Sequence, residues 1–329
     1  MIGSDHGKVG LYQSRLSRNT GRLFRRLPGC LRGRGSEGRG EQFPHGHGPL
    51  TPSLVHTRLA EPEAQIRGVS VLLVHILGPL RVSVDGKNIH LGGRRAQIIL
   101  SVLALEVNWV VSVDDLVDAV WGGSPPASAR TQIRICISAM RREFEAAGLA
   151  DLIETHPQGY RLCLEESQLD ASVFDTLVRR ARALAETGLT EEAVDVLCRA
   201  LSLWTGPAFS GLSSRPLESG ARRLAETRLR VTEERIRLEL GLGRHHDLIG
   251  ELMQLSAEHP YREDLHAQLM LALYRSQRTA EALEAYRRIR STMVEELGIE
   301  PGPELADLEQ AILLGTGADQ PVRGVARAS

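Results

Sequence analysis

The chain has 329 residues, of which 42% are hydrophobic and 25% are charged, which is typical of a globular protein with a sizeable core. At about 150 residues per domain, this length predicts two domains. Forty Lys and Arg residues against 41 Asp and Glu residues give a net charge of -1. This balance argues against a uniformly basic nucleic-acid binder and against an acidic tail protein.

The spacing of the cysteines is typical of a reducing compartment, and the apolar runs are too short for a membrane span. Cys30, Cys136, Cys163 and Cys198 are far apart and form no C-x-x-C pair, so neither a disulfide framework nor a structural zinc site is expected. No apolar run approaches the roughly 20 residues of a membrane span. The N-terminal residues also show no signal-peptide pattern. We therefore expect a cytoplasmic protein that neither spans nor binds a membrane. We also expect no cofactor.

The charge is distributed unevenly along the chain. Residues 1–68 carry 11 basic and 5 acidic residues and 12 of the 32 glycines, which predicts a disordered basic extension or a start codon placed too far upstream. Residues 69–164 have no net charge, and residues 165–329 carry 20 basic and 27 acidic residues. After this extension we predict one folded domain over 69–164, another over 165–315 and a flexible tail over 316–329.

Residues 69–164 alternate between strand and helix patterns. Period-2 alternation and turn residues predict strands, and apolar stripes at helical spacing predict helices. The predicted strands are 71–77, 80–84 and 89–91, the helices are 94–105, 113–121 and 127–147, and a closing hairpin spans 153–155 and 160–164. Asp85 and Gly86 form a typical hairpin-turn pair. A leading antiparallel sheet, three helices and a hairpin give the order of a winged helix-turn-helix domain.

The third predicted helix has two different faces. Its core-facing stripe contains Ile133, Ile137, Met140 and Phe144, with Cys136 at the edge. The opposite face and its flanks combine amide, hydroxyl, guanidinium and methyl groups, which read base edges in the major groove. The candidate readers are Thr131, Gln132, Arg134, Ile135, Ser138, Arg141 and Arg142.

The closing hairpin is the candidate wing. Gly159 is expected to allow a tight tip that follows the phosphates or enters the minor groove, with His156, Tyr160 and Arg161 beside it. Further candidate phosphate contacts are Arg94, Arg95 and Arg130, because arginines neutralise phosphate charge. The acidic residues Asp114, Asp115 and Asp118 fall on the middle helix.

Residues 165–315 predict an all-α region. Amphipathic patterns with glycine or proline breaks predict helices at 170–186, 190–203, 216–240, 247–259, 262–275, 279–297 and 303–314. A degenerate internal similarity favours a tetratricopeptide-like stack, which offers an interaction surface rather than a catalytic cleft. The fold class is therefore mainly α, with an N-terminal winged helix.

Ten segments of the chain resemble one family of bacterial regulators. Residues 74–80, 91–95, 116–122, 125–129 and 157–162 resemble the OmpR-type winged helix of the SARP regulators, the Streptomyces antibiotic regulatory proteins. Five further segments resemble motifs of the bacterial transcriptional activation domain of the same family. They are residues 200–206, 259–263, 269–275, 280–286 and 295–304. The resemblance covers about residues 70–315 in register.

The resemblance implies a pathway-specific activator of secondary-metabolite gene clusters. Such a protein binds direct-repeat operators in double-stranded DNA as a homodimer and engages RNA polymerase holoenzyme. Two positions depart from the family pattern: Ala139 stands where an arginine is frequent, and Pro157 and Gln158 replace the more usual glycine before Gly159. These departures bear on the target sequence more than on the fold.

Catalytic motifs are incomplete throughout the sequence, so we do not expect an enzyme. Residues 3–8 resemble a phosphate-binding loop, but the first glycine is one position too close and Val9 replaces the required Ser or Thr. Two hypotheses remain, a sequence-specific activator and a helical interaction scaffold whose winged helix has lost DNA binding. The arginines on the candidate reading elements favour the activator, because phosphate binding depends on local charge rather than on the total.

Overall fold

The computed structural model describes residues 71–315, so the predicted extension 1–68 and tail 316–329 lie outside the described residues. The first sheet is antiparallel with strand order β1-β2-β3, formed by Leu72–His75, Arg81–Val84 and Lys87–Asn88. Asp85 and Gly86 have φ angles of 51° and 76°, the left-handed backbone of a two-residue hairpin turn. The turn pairs Val84 with Lys87, so β3 lies at 87–88 and the predicted strand 89–91 is wrong.

The three helices of the winged domain agree closely with the sequence prediction. They are α1 Arg94–Leu105, α2 Val113–Trp121 and α3 Ala129–Ala146. A second antiparallel sheet, in the order β4-β6-β5, contains β4 Val110–Ser112, β5 Ile153–Thr155 and β6 Gly159–Leu162. Strand β4 escaped the sequence analysis because three residues are too few to show a period.

Seven helices follow within the described residues, and they confirm the predicted all-α region. They are α4 Asp170–Glu186, α5 Thr190–Ser202, α6 Arg215–Gly241, α7 His245–Glu258, α8 Glu263–Arg275, α9 Thr279–Leu297 and α10 Pro303–Leu314. Neighbouring helices pack against each other, most extensively α4 with α5, α7 with α8 and α8 with α9. The predicted fold class, mainly α with small antiparallel sheets, is confirmed.

The buried apolar residues form two clusters. The first runs from Leu72 in β1 to Val231 in α6, so it includes residues on both sides of position 164. The second runs from Ile236 in α6 to Ile312 in α10. The 27-residue helix α6 contributes to both clusters. The described residues belong to one compact unit.

Buried polar groups occupy the part of α6 where the two clusters meet. Arg235 has a side chain only 10% exposed, and it lies 2.7 Å from a carboxylate oxygen of Glu239 and 2.6 Å from one of Glu251 in α7. The carboxylate of Glu233 accepts a hydrogen bond of 2.8 Å from Arg262, which precedes α8. These pairs join α6 to the helices that follow, and they leave the buried charges compensated.

The winged helix and the seven-helix region are in direct contact. Asp170 at the start of α4 accepts backbone hydrogen bonds from Ile76 and Leu77, which follow β1. Gly220 of α6 lies so close to α1 that a Cβ atom there would be 2.6 Å from Leu105. The first hydrophobic cluster is therefore built jointly by the sheet, the winged helix and α4 to α6.

Candidate nucleic-acid interface

Helix α3 has the two faces that its sequence predicts. Ile133, Ile137, Met140 and Phe144 are buried in the first hydrophobic cluster, which confirms the predicted core stripe. Cys136 is half-buried at the edge of this stripe, and burial raises the pKa of its thiol. The exposed residues of the helix include Thr131, Arg134, Ile135, Ser138 and Arg142.

Ile135 is the unusual member of the exposed face. Its side chain is 60% exposed, although a large apolar side chain gains free energy when it is removed from water. It lies one residue from Arg134 and three from Ser138. An exposed branched apolar group among polar and cationic groups matches a surface that contacts the thymine methyl in the major groove.

Three of the candidate arginines have no intramolecular hydrogen-bond or ion-pair partner among residues 71–315. They are Arg94 at the start of α1 and Arg134 and Arg142 on α3, and all three are exposed. A guanidinium that makes no ion pair within the protein keeps its full charge for a phosphate group. Among the arginines that the sequence selects, these three are therefore the strongest phosphate-binding candidates.

Arg130 is already paired. Its Nη2 lies 2.5 Å from Oδ1 of Asp114 at the start of α2, and both side chains are exposed. The acids of the middle helix lie on α2 as predicted, and one of them contacts a candidate phosphate-binding arginine. The pair forms because the loop between the two helices returns the start of α3 to the start of α2, a tertiary contact that the sequence does not reveal.

Arg95 and Gln132 form a chain of polar contacts across three helices. Nη1 of Arg95 in α1 donates a 2.6 Å hydrogen bond to Oε1 of Gln132 in α3, and Nε2 of Gln132 donates one of 2.9 Å to Oγ of Ser128. The guanidinium of Arg95 also lies over the ring of Trp121 at the end of α2, 5.4 Å from its centroid, in cation–π geometry. Sequence analysis selected Arg95 and Gln132 but missed Trp121 and Ser128.

Arg141 holds the recognition helix against the wing. Its guanidinium donates hydrogen bonds of 2.9 and 2.6 Å to the carbonyl oxygen of Ile153 and one of 2.7 Å to Oγ1 of Thr155, both in β5. These contacts occupy Nε and Nη2 of Arg141 and connect α3 to β5. A base contact by Arg141 stays a prediction.

The wing carries a small ionic cluster. Nε of Arg161 in β6 donates a 3.0 Å hydrogen bond to Oε2 of Glu154 in β5, and Nε2 of His156 lies 3.3 Å from the same oxygen. The hydrogen bond from Arg161 is the main reason that the pKa of Glu154 is lowered from its ordinary value. Arg161 and His156 both lie close to the tip of the wing, and the carboxylate of Glu154 neutralises part of the charge of Arg161.

Gly159 and Tyr160 begin the last strand of the wing. Gly159 closes a tight tip, because its backbone and that of His156 exchange hydrogen bonds of 2.9 and 3.2 Å across Pro157 and Gln158. Gly159 also pairs with Ser112 of β4, where a Cβ atom would lie 1.8 Å from the carbonyl oxygen of Val111, so the glycine permits close strand pairing as well. Tyr160 is only 7% exposed and belongs to the first hydrophobic cluster, so its side chain packs in the core of the winged helix.

Other site types find no support among residues 71–315. No group of three or more His, Cys, Asp or Glu side chains in this range is arranged to hold a metal ion. No helix in the same range is long and apolar enough to cross a membrane. No disulfide joins the three cysteines that the structure describes.

A winged helix with an exposed reading face, fused to a stack of helices, defines a class of DNA-binding regulators. Two family models match the chain. The model described as transcriptional regulatory protein, C terminal, matches residues 86–162, and the bacterial transcriptional activator domain matches residues 169–313. Together they cover both halves of the described structure.

Individual relatives carry the same two-part architecture. Regulatory protein DnrI of Streptomyces peucetius is 38% identical over 248 residues, which cover 73% of this chain and 91% of the relative. Transcriptional regulatory protein MoaR1 of Mycobacterium tuberculosis is 35% identical, with coverage of 77% and 83%. Regulatory protein AfsR of Streptomyces griseus is 35% identical over 75% of this chain, which spans 25% of that larger protein.

A solved structure agrees with these sequence relationships. Mycobacterium tuberculosis EmbR in complex with a low-affinity phosphopeptide superposes with a TM-score of 0.74 and 34% sequence identity, over 76% of this chain and 66% of the EmbR chain. The chain belongs to the SARP family of DNA-binding transcriptional regulators, as its sequence motifs predict.

Proposed function

We propose that this protein is the pathway-specific activator of a secondary-metabolite gene cluster, of the antibiotic type for which its family is named. It binds a direct-repeat operator near a promoter as a homodimer on DNA and recruits RNA polymerase holoenzyme. The observation that carries this proposal is the exposed face of α3, where Ile135 lies among Arg134, Ser138 and Arg142 without protein cover. The chain acts by binding, with no catalytic step of its own.

The proposed contacts fall into two groups. Thr131, Gln132, Ile135 and Ser138 face base edges in the major groove, because hydroxyl, amide and methyl groups discriminate bases there. The phosphate contacts are made by the unpaired and the exchangeable cations, which set affinity and register rather than sequence. These cations are Arg94, Arg134 and Arg142, joined by Arg130 and Arg161 when DNA phosphates compete with Asp114 and Glu154. His156, beside Arg161, donates a further hydrogen bond to a phosphate.

The DNA-binding part is tested by gel shifts on promoter fragments from the gene cluster adjacent to its own gene. The full chain should bind a fragment with direct repeats more tightly than a scrambled one, with an affinity that falls steeply as salt rises. The same assay with a chain that begins at residue 69 measures what the basic extension contributes. Affinity that is weak and indifferent both to salt and to sequence would support the scaffold hypothesis instead.

Polymerase recruitment needs a separate assay. Purified holoenzyme is added to the same promoter with and without the protein, and transcript yield is measured together with the footprint. The proposal expects a higher yield and an extended footprint only when the direct repeats are intact. Operator binding without any change in transcription would leave a DNA-binding regulator that does not recruit polymerase.

A further inference from the structure

The hydrogen-bond chain at the start of α3 has a feature that a simple base-reading side chain lacks. Gln132 is bonded at both ends of its carboxamide, with its oxygen toward Arg95 and its nitrogen toward Ser128. A glutamine selects adenine by presenting its oxygen to the N6 amino group and its nitrogen to N7, so its preference depends on which way the amide is turned.

Arg95 makes the two amide orientations unequal. A guanidinium has only donors, so it donates to the Gln132 oxygen and cannot form a hydrogen bond with the Gln132 amino group. A turn of the amide by 180° would lose a charge-assisted hydrogen bond and bring two donors face to face. The serine hydroxyl on the other side donates or accepts and does not distinguish the orientations. The choice therefore depends on Arg95.

Trp121 holds Arg95 in place. The guanidinium lies 5.4 Å from the centroid of the indole ring, and the tryptophan is packed against the first hydrophobic cluster at the end of α2. Cation–π contact with a fixed ring favours one position of a long, flexible side chain. Neighbouring Arg94 has no such partner among the described residues and is exposed, so it serves as an internal comparison.

We propose that Arg95, held over Trp121, fixes the carboxamide of Gln132 in one orientation and thereby determines the base that this position of the operator must contain. Trp121 and Arg95 are positioning residues, and Gln132 is the residue that touches the base. This inference rests on the proposed function, because it assigns the origin of specificity within the same DNA-binding surface.

The test is in vitro selection of bound duplexes from a randomised DNA library, followed by binding measurements at several salt concentrations. Gln132→Ala should abolish the preference at one operator position. Arg95→Met, which removes every donor, and Trp121→Leu should weaken the preference at that same position by about tenfold, within the range that one bidentate base contact supplies. Trp121→Phe keeps an aromatic face and should retain the preference. None of the Trp121 variants should change the dependence on salt, because the charge remains.

Arg94→Ala is the matched control. It should lower affinity for all sequences and reduce the salt slope by about one, without altering the base preference. If Trp121→Leu fails to fold, Arg95→Met decides the question, because it keeps a long side chain and removes every donor to Gln132. Unchanged preference in Arg95→Met, or in Gln132→Ala, would overturn the inference while specific binding by the wild type stands. A wild-type chain that selects no sequence would overturn the proposed function and the inference with it.

Discussion

Asp170 and Ile76 are 94 residues apart in the chain, yet both carboxylate oxygens of Asp170 accept the backbone N–H of Ile76, at 2.9 and 3.0 Å. The same carboxylate accepts the N–H of Leu77 at 3.0 Å, and its side chain is 4% exposed. The contact joins the first residue of α4 to the segment after β1. It is one of the points where the winged helix is attached to the helices that follow it.

Removal of this carboxylate should destabilise the whole described unit. Asp170→Ala leaves two backbone donors buried without a partner, and the expected loss in the free energy of unfolding is about 3 kcal/mol. Chemical denaturation followed by circular dichroism measures it. Asp195→Ala, an exposed aspartate on α5, is the control and should stay within about 0.5 kcal/mol of the wild type. Equal effects of the two substitutions would show that the Asp170 contact contributes nothing.

Asp170 also predicts a dependence of stability on pH. Burial raises its pKa from the ordinary value of 3.8, against the opposing effect of the backbone donors. The folded state therefore binds this proton more tightly than the unfolded chain, and the contribution is full below pH 3.8 and is lost as the pH rises through the raised pKa. The difference in unfolding free energy between the wild type and Asp170→Asn should decrease as the pH rises through this window. A difference that increases with pH would contradict the assignment.

Arg141 and Arg142 should behave differently although they are adjacent. Arg141 donates to β5, so Arg141→Ala should reduce operator affinity by about tenfold through a displaced wing and leave the salt slope unchanged. Arg142 has no such contact within the described residues, and Arg142→Ala should reduce the slope of log affinity against log salt by about one. Fluorescence anisotropy over a salt series separates them. A lower slope in Arg141→Ala would instead show that Arg141 contacts a phosphate directly.

Gly159→Ala should separate two strands of the winged helix. The new methyl group would lie 1.8 Å from the carbonyl oxygen of Val111, so β4 and β6 must move apart. We expect a loss of about 2 to 4 kcal/mol in the free energy of unfolding. Gly123→Ala, at a position with open space around the glycine, is the matched substitution and should cost far less. Thermal melts of both variants provide the comparison.

The ionic cluster within α6 predicts a large effect of one charge. Glu239→Ala leaves Arg235 buried with only Glu251 to compensate it, and we expect a loss of about 3 kcal/mol. Glu284→Ala breaks the exposed pair with Arg287 and should cost less than about 1 kcal/mol. Urea denaturation of both variants tests this contrast, and equal losses would mean that burial does not govern these pairs.

The sequence predicted those features that depend on local periodicity. The core stripe of α3, from Ile133 to Phe144, follows from helical spacing alone, and the exposure of Ile135 follows from the same geometry. The sequence does not reveal the ion-pair partners of the arginines, because Asp114 and Arg130 meet only after two helices have packed. The close approach of Gly159 to β4 is hidden for a related reason, because the three residues of β4 are too few to show a period in the sequence.

The alternation of residues along the closing strand indicates which side of the strand Tyr160 faces. Tyr160, Leu162 and Leu164 alternate along the closing strand, and all three are buried in the first hydrophobic cluster. Period-2 alternation places every second residue on the same side of a strand, so the tyrosine belongs with the two leucines. The same rule leaves Arg161 on the opposite side, where it pairs with Glu154.

Helix α6 has 27 residues and therefore a length of about 40 Å. Because one unbroken helix contributes to both hydrophobic clusters, helices α7 to α10 keep a fixed orientation relative to α3. Insertion of about five base pairs between operator and promoter would turn these helices to the far side of the duplex, and about ten would bring them back. Promoter activity should thus rise and fall with the helical phase of the spacer rather than decline smoothly with its length.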